Sequence, residues 1–151
     1  MNKALLSFTL FALSAAGTAF AAKWQTLPEY DSTYENSQVS YRVNLDAGAS
    51  NFGTAKFTDG SRITTLTFPW AATFTPPLAD GQKAMILVDE FSCSGQPGKS
   101  GFSKTLQQEN YYTGGKVNKW FYHAPKWKKA NANMNDLAQK VCRMREAERK
   151  Q

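Results

Sequence analysis

Alternation of apolar and polar positions is clearest from Gln38 onward. Val39, Tyr41, Val43 and Leu45 share one side, and Ser40, Arg42 and Asn44 share the other. A period of two with one wet side predicts a half-buried strand over 38–45. Ile63 to Trp70 is rich in β-branched and aromatic residues, with Leu66, Phe68 and Trp70 on one face. Pro69 predicts that this strand ends early or lies at a sheet edge, because proline cannot donate to a ladder. Ala84 to Val88 is apolar without interruption and continues through Asp89, Glu90 and Phe91 to Cys93, the pattern of a central strand. Phe102 to Tyr112 reads as a long polar-faced strand, Thr113-Gly114-Gly115 as a turn, and Lys116 to Tyr122 as the returning strand. A short strand is expected around Trp24. The polar or small-residue stretches 31–37 and 46–53 read as loops, and Asp59-Gly60 predicts a two-residue type I′ hairpin with both residues at positive φ.

The period changes near the C-terminus. Met134, Leu137, Ala138, Val141 and Cys142 recur at helical spacing and predict an amphipathic helix. Asn133 or Asn135 is the expected cap, and Arg143, Arg145, Arg149 and Lys150 sit where the helix dipole favours cations. About six antiparallel strands with one C-terminal helix packed on them make an α+β domain.

The first residues follow another logic. Lys3, an uncharged stretch from Ala4 to Phe20 and a small-x-small site at Ala19-Phe20-Ala21 read as a secretory signal peptide, residues 1–21. A membrane anchor fits the length, but not the Ser, Thr and Gly content or the cleavage site. Residues 22–151 then form a single exported domain without a transmembrane segment. Export puts Cys93 and Cys142 in an oxidising compartment, where they would pair. The bridge would close a loop of about 50 residues, worth roughly 3–4 kcal/mol, and pin the helix onto the sheet. Two separate buried thiols are the alternative.

Composition narrows the chemistry. The chain has 151 residues, with 18 basic and 12 acidic side chains, 2 Cys and 1 His. Two Cys and one His cannot complete a four-ligand zinc site without carboxylates. His123, the single His, stands at a strand end, and Asp89-Glu90 point to opposite faces of a strand, so they are no facing carboxylate pair. Walker A, G-x-S-x-G and HExxH motifs are absent. No enzyme activity, catalytic residue, cofactor or metal is therefore expected.

Charge is uneven. Between Ala22 and Gly98 five basic residues face eight acidic ones; from Lys99 onward twelve face four. The densest stretch interleaves aromatics with lysines, and Lys116, Lys119, Tyr122, Lys126, Trp127, Lys128 and Lys129 are the candidate ligand-binding residues. Their chemistry suits a polyanion such as an anionic glycan or an acidic protein segment. The competing reading makes the aromatics packing residues and the lysines a solvated rim. Nucleic acid is not expected: the chain reads as exported, its tail also carries Glu146 and Glu148, and it has no nucleic-acid motif.

Several landmarks fall in a recognisable order. Trp24 follows the leader, then come Tyr41, Asp59-Gly60-Ser61-Arg62-Ile63-Thr64, Asp89-Glu90-Phe91-Ser92-Cys93, Tyr111-Tyr112, Gly114-Gly115-Lys116-Val117, Trp127 and Leu137…Val141-Cys142. This order resembles the surface-adhesin E-like family of small exported bacterial proteins over nearly the whole mature chain. The resemblance implies an antiparallel sheet with a C-terminal helix held by the two cysteines, and binding of host extracellular-matrix proteins such as vitronectin and laminin. No lipidation Cys is present, so a periplasmic, cell-surface or extracellular location all fit. A periplasmic protein that binds or inhibits an envelope enzyme is the alternative role. Intact-mass measurement of the exported protein should place its first residue at Ala22; a retained leader would refute the signal-peptide reading.

Overall fold

The alternating stretches pair into one antiparallel sheet. The computed structural model describes residues 24–46, 49–93, 96 and 98–151; the expected signal peptide lies outside them. The strands are β1 (Trp24–Thr26), β2 (Ser32–Tyr34), β3 (Ser37–Asn44), β4 (Asn51–Lys56), β5 (Arg62–Thr75), β6 (Gln82–Ser92), β7 (Phe102–Tyr112), β8 (Val117–Phe121) and β9 (Lys128–Lys129), followed by helix α1 (Ala132–Arg149). The sheet order is β1-β3-β5-β6-β7-β8, with β2 beside β3, β4 beside β5 and β9 beside β7. The α+β class and the C-terminal helix agree with the sequence pattern.

The differences have physical causes. Strand β2 and the first residues of β4 lie in stretches read as loops, and β9 in a stretch given no element, since exposed, small or lysine residues there carry no apolar face. Strands β2 and β9 form through backbone pairing with β3 and β7. Pro69 ends nothing: β5 runs for 14 residues and is central. Along one edge β3 pairs with residues 70–75 of β5, and β4 pairs with residues 62–67. Pro69 stands at the junction where that ladder changes partner, so a residue without an N–H is tolerated there. On the other edge β6 pairs straight through it, with Val88 opposite Pro69.

The Asp59-Gly60 turn also departs from type I′. Only Gly60 is left-handed, at φ 82°. Its N–H donates to Phe57 O and the N–H of Phe57 donates to Ser61 O, both at 2.9 Å, which makes a longer link than two residues. Asp59 Oδ1 accepts from the Ser61 N–H at 3.0 Å and from its hydroxyl at 2.6 Å. That local bond competes with the two-residue turn.

One sheet face makes the core. Leu66, Phe68, Trp70, Ala72 and Phe74 of β5 join Val39 and Val43 of β3 and Leu87 and Phe91 of β6. Phe68 stacks on Phe91 with ring centroids 5.0 Å apart. Helix α1 closes this face with Leu137, Ala138 and Val141. Its cap is Asn131, one turn before the apolar stripe, whose Oδ1 accepts from the Met134 N–H at 2.8 Å. Asn133 and Asn135 do not cap; Asn135 accepts instead from Gln139, whose Nε2 also donates to Ser92 O at 2.9 Å.

Cys93, at the end of β6, is bonded to Cys142 on the buried stripe of α1, with Cα atoms 5.9 Å apart. Of the two states of the cysteines the bridged one holds, and it ties sheet to helix across 49 residues of sequence. Among the described residues no helix is long and apolar enough to cross a membrane. Cys93→Ser should lower unfolding free energy by about 3–4 kcal/mol, read as a lower urea midpoint. Equal midpoints with and without reductant would contradict this.

Candidate functional site

The candidate binding residues do not make one patch. Strand β7 is 11 residues long, so its ends lie roughly 33 Å apart. Lys116 is at the far end, with Nζ 5.4 Å from the Tyr112 ring centroid. Lys119 bonds Glu109 at 3.0 Å on the face away from α1. Tyr122 lies on the opposite face, and its hydroxyl donates to Gln108 Oε1 at 3.5 Å. Trp127, Lys128 and Lys129 gather at the other end, where β9 pairs with Phe102 and Ser103, and exposed Lys126 adjoins them in sequence.

That second end is more basic and more aromatic than the 116–129 segment alone. Trp127 lies 6.2 Å from Phe57, and Phe57 meets Phe102 edge-on at 5.7 Å. Lys104 Nζ sits 4.9 Å from the Trp127 centroid and 2.7 Å from Glu90 Oε2. Lys99 sits 5.1 Å from the Phe57 centroid and bonds Asp59 at 2.5 Å. The Lys99 ammonium and the Ser61 donors hold the Asp59 carboxyl well below the usual aspartate range. Each lysine is thus placed by a carboxylate and an aromatic face together.

Lys56 and Arg62 stand directly opposite each other across β4 and β5, a like-charge pairing that is unfavourable by itself. Among the described residues, Lys56, Arg62, Lys126, Lys128 and Lys129 make no salt bridge. Sequence reasoning missed Lys56, Phe57, Arg62, Lys99, Phe102 and Lys104. Three of them belong to the acidic first part of the chain, and only the topology carries the β4–β5 hairpin to the start of β7.

Two buried carboxylates behave in opposite ways. Glu109 is pushed up by burial, but hydrogen bonds from Tyr111, Lys119 and Gln107 outweigh this and lower it overall. The same contact, with burial, holds the Tyr111 phenol far above its ordinary value. Asp89 is raised, because burial dominates. Its Oδ2 accepts from Trp70 Nε1 at 2.8 Å. Oδ1 has no well-formed hydrogen bond; Thr105 offers a weaker one and Lys128 a favourable charge. Asp89 is 5% exposed while Glu90 reaches Lys104, so the adjacent acids do point to opposite faces.

At the end of the core face away from α1 lies a groove of about 380 Å³. Tyr34, Tyr41, Phe74 and Met85 form its apolar surface, and Gln82, Gln108 and Asn110 supply side-chain amides. None of its lining residues is charged. Among the described residues no three His, Cys, Asp or Glu side chains gather as metal ligands.

Comparison of the chain with protein-family models, with curated proteins and with solved structures finds no match.

The raised Asp89 gives a signed pH dependence. The native state keeps this proton where the unfolded chain, with an ordinary pKa of 3.8, releases it, so stability falls as pH rises through the window above 3.8. Asp89→Asn retains an acceptor for Trp70 and should be at least as stable near pH 7. Its urea midpoint should decline less than wild type between about pH 4 and about pH 7. A steeper decline in the variant would refute the assignment.

Proposed function

We propose that this is a small exported binding protein of the adhesin kind, which holds a polyanionic partner at the basic end of its sheet. The partner class is an anionic glycan or an acidic segment of a host extracellular-matrix protein. One observation carries the reading: among the described residues Lys56, Arg62, Lys126 and Lys129 make no salt bridge and Lys128 has only the charge of buried Asp89 near it, and all five stand at the sheet end that carries the Phe57–Phe102–Trp127 cluster. Cations that are not neutralised internally are available to an external anion. The aromatic cluster adds contact area beside them and fixes Lys99 and Lys104 at the same end. The likeness to the surface-adhesin E-like family motivates the adhesin role, and the Cys93–Cys142 bridge agrees with an oxidising, exported location.

Such binding depends on salt, because exposed charges are screened beyond about 8 Å at physiological ionic strength. Replacing Lys126, Lys128 and Lys129 by Glu should weaken binding to immobilised heparin at least tenfold at about 0.1 M salt. It should also shift elution to lower salt, and binding to vitronectin and laminin should fall in parallel. Wild-type protein that passes through heparin unretained, or a triple variant that binds as well as wild type, would overturn the proposal.

A further inference from the structure

The groove at the other end of the sheet has a different chemistry. Its floor is Tyr41 and Phe74, and one wall is Tyr34 of the short strand β2. Tyr34 is 55% exposed although it is a large aromatic, and it pairs with Ser37 across a two-residue link. In that link Glu35 holds φ 53°, a left-handed conformation unusual for a residue other than glycine. A two-residue hairpin link calls for positive φ, so the turn itself sets this conformation and fixes where Tyr34 stands.

The opposite wall is built from side-chain amides. Gln82 and Asn110 are largely buried, 9% and 8% exposed, and both line the groove. Asn110 uses only its Oδ1, which accepts from Gln108 Nε2 at 3.0 Å. Primary amides that line a groove can both donate to and accept from an external partner. Beyond them, Asn118 and Trp120 of β8 stand opposite Asn110 and Gln108, so they continue the same face. Trp120 and Tyr122 are 40% and 44% exposed. A row of amides thus lies between exposed aromatics on both sides.

We infer that this groove binds a neutral oligosaccharide. Hydroxyl-rich rings have apolar C–H faces that stack on aromatic side chains, and hydroxyls that both donate to and accept from primary amides. The groove volume of about 380 Å³ is in the range of small-ligand sites. The absence of any charged lining residue disfavours phosphate, sulfate or uronate groups here and separates this site from the basic end. Tyrosine and tryptophan walls also lose little conformational freedom on binding.

The test titrates the mature, disulfide-bonded protein with a panel of neutral tetrasaccharides of glucose, galactose, mannose and N-acetylglucosamine. Trp120 fluorescence and calorimetry are the readouts. Saturable binding by at least one member is expected, unchanged by added salt. Tyr34→Ala should weaken it at least tenfold, as should Gln108→Leu, while the triple lysine variant binds normally. Trp120→Ala, at an exposed position, serves as the second wall variant if Tyr34→Ala fails to fold. No binding by any panel member up to about 10 mM, or binding that the groove variants leave intact, would overturn the proposal. Loss of binding in the lysine variant with groove variants unaffected would move the ligand to the basic end and overturn it equally.

Discussion

The architecture depends on a strand longer than its neighbours. Strand β5 spans 14 residues, and no single partner on one edge matches that length, so β3 and β4 share the edge. Strand β7 repeats the arrangement with β8 and β9. Sharing an edge divides the sheet into two ends without a second domain. The β4 and β9 end gathers the lysines and the Phe57–Phe102–Trp127 cluster. The β2, β3 and β8 end gathers the amides and exposed aromatics. Opposite surface chemistries follow from how two long strands are paired.

Stability and surface chemistry are separable here. The folded state rests on the apolar face closed by Leu137, Ala138 and Val141 and on the Cys93–Cys142 bridge. Fully burying one large apolar side chain contributes about 1.5–3 kcal/mol, whereas an exposed ion pair contributes about 0–1 kcal/mol. Pairs such as Lys99–Asp59 therefore orient side chains more than they hold the fold. Asp89 is the exception inside the core: its burial raises its pKa and opposes stability where it ionises.

Much of the fold was legible. The alternation at Val39–Leu45, the apolar run at Ala84–Val88 and the helical spacing from Met134 correspond to β3, β6 and α1. Each owes its periodicity to burial of one face, and burial is written in side-chain type. Strands β2 and β9 were not legible, because backbone pairing leaves no such mark on exposed residues. Pro69 misled because a general rule about proline in strands meets a local break in the ladder. The candidate site was legible only in part. Lys126 to Lys129 are consecutive or nearly so and were found, but Lys56, Phe57, Arg62 and Lys104 reach the same end through strand order. The amides of Gln82, Gln108 and Asn110 gave no signal, since neutral polar residues on a strand look like ordinary wet positions.

The short outer strands have one more consequence. β1 and β2 have three residues each, β4 six, β8 five and β9 two, so among the described residues no margin strand is longer than six residues. Lys119, Lys128 and Lys129 stand on the margin formed by β8 and β9. Brief margins studded with lysine resist the addition of a strand from another molecule. A sheet with exposed Trp120, Phe121 and Tyr122 would otherwise invite it to grow into fibrils. The pairing that leaves these margins short therefore also works against this sheet stacking on itself.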